Sequence, residues 1–412
     1  MVEDQEGAAP RRLGTQAVSF EVAPEWVHIQ YAETSQFREV YGFAGSQGMV
    51  NLEGIRFVPI DKTTKAGKPS KTLAVYMHPA TTLQLLPMPQ AMAKAGVHVL
   101  CAGSRFAKND TPLIMEKVVL DLGAYIRHAK EKWGYEKILL CGWSGGGSLS
   151  LFYQSQAENP SITHTPAGDE VNLKDAKLIP ADAFIFQAAH LSRAHTFSEW
   201  IDPSVTDEAD PDRRDLELDI YNPKCPHQPP YSPEFVSRFR EAQLKRVRRR
   251  TAWVKETLAR LKKLNTGEME RGFVTFRTLC DVRFMDPAIE PNDRKPRWTF
   301  VGQPETANTG PVGLARFSTL RAWLSQWSPD DSNADGPRCA RQVSVPLLAI
   351  ENSADDAVPQ SHTGIIHAAA ASRDKTMKVI KGATHYYQGQ PELLKQAVEL
   401  CVGWMDKQRL LD

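Results

Sequence analysis

The stretch of this chain best suited to covalent chemistry is Gly142-Trp143-Ser144-Gly145-Gly146, a serine with a glycine two residues to either side. It follows the apolar run Lys137-Ile138-Leu139-Leu140-Cys141, which reads as a buried strand, and precedes residues 147–154, which can continue as a helix. A Gly-x-Ser-x-Gly segment between a strand and a helix is the nucleophile-elbow pattern. The turn forces the serine into a strained backbone conformation that lifts its hydroxyl clear, and side chains at the flanking positions would strike the neighbouring strand or helix. Free amide N–H groups at the head of the following helix, Gly145 among them, then face any negative charge that develops near the serine. The competing reading of the pentapeptide alone is a flexible turn in a chain with 26 glycines. Its strand and helix context favours the catalytic one.

The elements needed to position such a serine recur along the chain. Residues 72–77 read as a buried strand running into His78-Pro79-Ala80-Thr81-Thr82, and residues 97–101 as another. Between that second strand and the elbow, residues 110–130 form an amphipathic pattern with Ile114, Val118, Leu122 and Ile126 on one side. Residues 181–189 suit the next strand. From His190 to about Pro311 the alternation stops, giving way to clustered prolines and a long basic helix over residues 233–264. Residues 316–327 read as a helix returning to the core, and residues 345–350 and 376–380 as strands. Helices over 359–372 and 391–405 complete the pattern. Upstream, residues 1 to about 34 carry little periodicity and read as a partly ordered arm. Residues 37–42 and 52–59 suit an edge hairpin across Gly45-Ser46-Gln47-Gly48. Alternating strands and helices with one large interruption predict a mostly parallel sheet flanked by helices. The domain boundaries that follow are an arm (1–34), a core in two parts (35–189 and 312–412) and an insertion (190–311).

From about Phe37 to Met405 the sequence resembles the α/β-hydrolase superfamily, in its serine-nucleophile branch with an enlarged, mainly helical lid. The resemblance implies an acid just past the strand after the lid. There the chain reads Glu351-Asn352-Ser353-Ala354-Asp355-Asp356-Ala357-Val358-Pro359, with Asp355 at the matching position and Asp356 as its rival. It implies a histidine past the last strand, where the chain reads Lys381-Gly382-Ala383-Thr384-His385-Tyr386. The order serine, acid, histidine is the one expected of the family. The chemistry asks for the same types: imidazole can take the serine proton and return it to a leaving group, and a buried carboxylate fixes the imidazole tautomer. Ser144, His385 and Asp355 are therefore the expected nucleophile, base and acid. The family commonly places a second oxyanion donor after the strand that here ends at His78. This chain departs from the usual His-Gly with His78-Pro79-Ala80. Proline has no N–H, so the Ala80 amide is the expected donor beside that of Gly145.

Roughly 210 residues separate Ser144 from Asp355, far more than the thirty or so of a single crossover unit. The interval must hold a lid able to exclude water and wall a pocket. Its aromatics suit an apolar or cyclic substrate, although many must form the lid's own core. Trp143, His78, His190, Trp200, Trp253 and Trp298 are the expected substrate contacts; His78, His190 and His195 are worse bases by position and suit substrate contact or structure rather than catalysis. The run Arg238, Arg240, Lys245, Arg246, Arg248, Arg249 and Arg250 spreads over more than one helical face in a chain of net charge +1. A solvated lid helix explains it better than a nucleic-acid surface. No metal or dinucleotide motif accompanies the elbow, so neither cofactor nor metal is expected. The six scattered cysteines suit a reducing compartment, and with no apolar leader or span the expected location is cytoplasmic, without a membrane. A small-molecule substrate is the expected partner, and a homodimer stays open. Ester or lactone hydrolysis through an acyl-enzyme is the leading function. Hydrolysis of a carbon–carbon bond beside a ketone uses the same residues, and a ligand-binding protein on a hydrolase scaffold is the non-enzymatic alternative.

Overall fold

The computed structural model describes residues 20–33, 48–310 and 313–411. It opens with an antiparallel pair, β1 (Glu21–Ala32) and β2 (Met49–Ile60). Strands and helices then alternate through β3 (Thr72–His78), α1 (Pro87–Lys94), β4 (His98–Gly103), α2 (Met115–Glu131), β5 (Lys137–Ser144), α3 (Gly145–Glu158) and β6 (Ala183–Ala189). An enlarged, mainly helical region follows. It holds α4 (Arg193–Trp200), a hairpin of β7 (Val205–Asp207) and β8 (Asp210–Arg214), α5 (Pro233–Leu264), β9 (Gly272–Val274), α6 (Val282–Met285), α7 (Pro304–Thr309), β10 (Phe317–Thr319), α8 (Leu320–Gln326) and α9 (Gly336–Ala340). The α/β rhythm resumes with β11 (Leu347–Asn352), α10 (Ser361–Ala369), β12 (Lys375–Ile380) and α11 (Pro391–Lys407).

One sheet of eight strands runs in the order β1-β2-β4-β3-β5-β6-β11-β12. From β4 to β12 neighbours pair in parallel, while β2 lies antiparallel to both β1 and β4. Successive residues of the central strands serve opposite faces, as the pleat requires. Leu73, Val75 and Met77 of β3 join Ile138 and Leu140 of β5 in a core shared with α2 and α3. Ala74, Tyr76, Leu139, Cys141 and Trp143 face the other way, onto α1 and α11. A side chain as fully covered as Leu73 contributes about 2 kcal/mol from its burial. All six cysteines are free and buried.

The structure departs from the sequence expectation at several places. The stretch read as an arm contains β1, because Val27 and Ile29 turn inward while Trp26, His28 and Gln30 face outward. That alternation is hidden by Pro24 and polar flanks. The run at 37–42 and most of the turn at 45–48 lie outside the described residues. The helix expected from residue 110 begins at Met115, whose N–H donates to Ser325 Oγ of α8 at 2.9 Å, a capping partner distant in sequence. Residues 316–327 divide into β10 and α8, since Phe317–Thr319 pairs with Gly272–Val274.

Within the helical region α5 matches the sequence bounds. Ser232 caps it by accepting the Phe235 N–H, Pro233 occupies its first turn, and Asn265 ends it in the left-handed conformation. Its apolar stripe, including Val247, Val254, Leu258 and Leu261, packs with Phe197, Trp200, Phe284, Trp323 and Trp327. The region's own core thus reaches beyond residue 311 to Trp327, just past the end of α8. The arginines of the basic run meet partners within the region or at its surface. Arg246 binds both carboxylate oxygens of Glu208 and the carbonyls of Asp202 and Phe276, Arg240 pairs with Asp281, and Arg248 with Asp330. Among the described residues no helix is long and apolar enough to cross a membrane.

Candidate active site

Five residues of chemical interest follow the carboxyl ends of five parallel strands. His78 ends β3, Ser144 ends β5, His190 follows β6, Asp355 follows β11 and His385 follows β12. Open parallel sheets bind ligands along this edge. Ser144 stands at the junction of β5 and α3 with φ 52° and ψ −126°. For a residue with a side chain that backbone costs about 1–3 kcal/mol and persists only where its surroundings impose it. The cause is local: a Cβ on Gly142 would lie 2.7 Å from the Gly147 Cα, so strand and helix meet too closely for anything larger than glycine. The pairing of β5 with β6 also slips between Trp143 and Ser144. The Ser144 side chain makes no capping bond to α3, so it does not occupy the first amides of that helix.

The acid and the imidazole are joined directly. His385 Nδ1 lies 3.0 Å from Asp355 Oδ2, with both side chains buried. The other Asp355 oxygen accepts the amides of Ala357 at 2.8 Å and Val358 at 2.7 Å. A carboxylate so held selects the Nδ1–H tautomer and turns His385 Nε2 toward its other side. Among the described residues Asp356 makes no hydrogen bond to the imidazole: its Oδ1 is buried without a partner, and burial, together with the neighbouring Asp355 charge, raises its carboxyl above the usual range. The two loops are tied by a buried network. Gln187 Nε2 donates to Tyr387 OH at 2.8 Å, Tyr387 OH donates to Asn352 Oδ1 at 2.9 Å, and Asn352 Nδ2 donates to the Thr384 carbonyl at 3.0 Å. Among the described residues no hydrogen bond closes the interval from Ser144 Oγ to His385. Such bonds commonly tighten only when substrate is bound.

Three further histidines, His78, His190 and His362, are buried around the same edge. His190 donates its backbone N–H to the Ser144 carbonyl at 3.4 Å, and its buried Nδ1 has no partner among the described residues. His362 Nδ1 accepts the Leu191 N–H at 3.2 Å. Burial, reinforced by Arg193 and His385, pushes the His78 proton affinity well below the ordinary histidine value. Burial, with His362 and Arg193 next in effect, does the same to His190. For His362 burial lowers the value to about 3. His195 is set apart, half-exposed and 3.3 Å from Asp335. Among the described residues no three His, Cys, Asp or Glu side chains converge as a metal site.

Aromatic rings line the approach to His385. Trp143 lies 4.4 Å from it between centroids, Tyr386 4.9 Å and Phe300 6.1 Å. Of the expected lid contacts, Trp200 stacks on Phe300 at 5.7 Å and is therefore one ring removed from His385. Trp298, Phe300, Tyr386 and Asp356 wall a cavity of about 660 Å³ beside the acid and histidine loops. Trp253 is placed differently from its expectation. It packs edge-on against Phe273 at 5.2 Å, under Arg250, because its position on α5 faces the lid's own core. The Ala80 amide, expected to face the oxyanion, instead donates to His78 Nδ1 at 3.1 Å. Sequence reasoning did not single out Tyr386, Phe300, Tyr387 or His362. Tyr386 and Tyr387 adjoin the expected histidine, which was the available signal, whereas Phe300 is marked only by lying in the aromatic-rich insertion.

The strand order, the parallel pairing from β4 to β12 and a strained serine at the β5–α3 turn decide the architecture. The fold is that of the α/β hydrolases. No protein-family model matches this α/β-hydrolase-like chain, and no curated protein matches it. Solved structures are similar over most of its length. DcsB in complex with a substrate analogue is 13% identical, covers 93% of this chain and 99% of its own, and superposes with a TM-score of 0.46. A monoacylglycerol lipase from Paleococcus ferrophilus is 13% identical over 86% of this chain and 98% of its own, with a TM-score of 0.42. Est1E from Butyrivibrio proteoclasticus is 12% identical over 85% and 93%, with a TM-score of 0.41. Likenesses this distant do not bear on activity, and the assignment of the α/β-hydrolase fold stands on topology.

Proposed function

We propose that the protein is a serine hydrolase that cleaves a carboxylic ester or lactone of an apolar or cyclic small molecule through an acyl-enzyme. The observation that carries the reading is the 3.0 Å bond between His385 and Asp355, formed at the sheet edge where Ser144 is held in a strained turn. His385 Nε2 takes the Ser144 proton as Oγ bonds to the carbonyl carbon, and the carbonyl electron pair moves to oxygen. The Gly145 amide receives that oxyanion. Collapse re-forms the carbonyl and breaks the bond to the leaving oxygen, which takes the proton from His385. Water then repeats the sequence on the acyl-enzyme and releases the acid. Asp355 stays ionised and stabilises the imidazolium.

The helical region of residues 190–311 serves as the lid, with Phe300, Trp298 and Trp200 as its contribution to an apolar pocket and Trp143, Tyr386 and His190 as that of the core. The rings favour hydrophobic acyl or alcohol groups over charged ones. Six buried, unpaired thiols suit a reducing, cytoplasmic setting. A fluorophosphonate probe tests the central assignment. Mass spectrometry is expected to find the label on Ser144 and to find it lost in Ser144→Ala; a folded protein left unlabelled at Ser144 would remove the basis of the reading.

A further inference from the structure

An oxyanion hole needs two donors, and in this chain the loop after β3 does not offer the usual one. Pro79 has no N–H, and the Ala80 N–H is engaged by His78 Nδ1 at 3.1 Å. That engagement fixes the chemistry of His78. A backbone amide can only donate, so Nδ1 must present its lone pair, and a neutral imidazole then carries its proton on Nε2. A cationic ring would set an Nδ1–H against the Ala80 N–H. Burial, with Arg193 and His385 nearby, disfavours that form further.

The protonated nitrogen lies close to the elbow. A Cβ built on Gly145 would lie 2.6 Å from His78 Nε2 and 3.2 Å from Cδ2, so this edge of the ring sits directly over the first residue of α3. His78 is only 5% exposed, yet its Nε2 has no hydrogen-bond partner among the described residues. A donor without a partner at this place stays free to meet one that arrives with the substrate. The loop around it is stiff: Ser104 Oγ donates to the Pro79 carbonyl at 2.6 Å, and the Lys108 N–H to the Ala80 carbonyl at 2.9 Å. The ring also lies 6.5 Å from that of Trp143, the residue before the serine. We propose that His78 donates its Nε2–H to the oxyanion opposite the Gly145 amide, as a side-chain substitute for the missing backbone donor. The proposal rests on the hydrolase reading above. His78 transfers no proton: as Ser144 Oγ bonds to the carbonyl carbon and the proton passes to His385, the charge arriving on the carbonyl oxygen is shared by two fixed N–H groups.

Turnover of p-nitrophenyl butyrate by the full chain tests this. His78→Ala should lower kcat about 100–1000-fold with KM changed by less than about threefold, the signature of a donor used in the transition state. His78→Gln, whose amide can donate from a similar place, should recover at least about tenfold of the loss. Thermal melts confirm that the variants compared are folded. Should His78→Ala retain wild-type kcat while Ser144→Ala is inactive, the His78 role is overturned and the hydrolase reading survives; Ser144→Ala with wild-type turnover would overturn both. An independent readout needs no variant. In ¹⁵N-histidine NMR of the wild type, His78 should show a protonated Nε2 whose proton moves downfield on adding a trifluoromethyl ketone. A proton on Nδ1, or an Nε2–H resonance indifferent to the ketone, would sink the assignment.

Discussion

Asp355 and Asp356 are adjacent carboxylates with opposite circumstances. The first accepts two backbone amides on one oxygen and faces His385 with the other, whereas the second is buried with an oxygen unpartnered and a carboxyl raised by that burial. The sequence reading put the acid at Asp355 with Asp356 as its rival, and the local turn is what sets Asp355 against the imidazole. Asp355→Asn should reduce kcat by about three to four orders of magnitude, because the charge and the tautomer preference disappear together. Asp356→Asn should change it by less than about tenfold. Steady-state assays on both variants check this, and the reverse ranking would move the acid role to Asp356. The same scale shows where sequence reading stops. Ser144 and His385 are recognisable from their immediate neighbours, but the Ala80 amide is redirected by a side chain two residues away, and Tyr387 holds the acid and histidine loops together through Gln187 and Asn352, far apart in sequence.

At the level of elements, periodicity foretold the central strands and the bounds of α5 because those signals are local. Elements whose ends depend on distant partners were read less well. The start of α2 is set by Ser325 of α8, and β10 exists only because β9 lies beside it. The lid aromatics divide in the same way, since composition cannot tell a ring that lines a pocket from one that fills a core. Phe300 and Trp298 face the cavity beside His385, while Trp253 packs on Phe273. Phe300→Ala and Trp298→Ala should therefore reorder rates across a panel of esters and lactones by about tenfold, with little change in melting temperature attributable to the half-buried Trp298. Trp253→Ala should lower stability by about 3 kcal/mol or somewhat less and leave substrate order unchanged. Rates measured beside thermal melts separate the two, and a uniform scaling of every substrate by Phe300→Ala would remove its part in selectivity.

Over the whole molecule, the site places several imidazoles inside the protein and keeps them uncharged, so stability must depend on pH. His78, His190 and His362 have folded proton affinities below that of an unfolded histidine. Between about pH 6.5 and the His362 value of about 3, the unfolded chain therefore binds protons that the folded chain refuses. Stability is full above about pH 6.5 and falls as the solution is acidified; His362 alone should account for about 2 kcal/mol between pH 7 and 5. Other groups act beside it. The Glu116 and Asp356 carboxyls, raised by burial, and His195, raised by its hydrogen bond to Asp335, favour the folded state on acidification. Glu199, held low by Arg283 and Arg240 against its burial, and Asp202, held low by Arg277 against its burial, withdraw their support chiefly at more acid pH. A difference between two proteins isolates the imidazole from this background. His362→Gln keeps an acceptor for the Leu191 N–H but cannot titrate. Urea unfolding at pH 7 and at pH 5 should show the wild type losing about 2 kcal/mol more than this variant, because only the wild-type unfolded state gains a proton at that position. Equal losses in the two proteins would mean that His362 is not held neutral, and the uncharged histidine group would then have to be rebuilt around a protonated member.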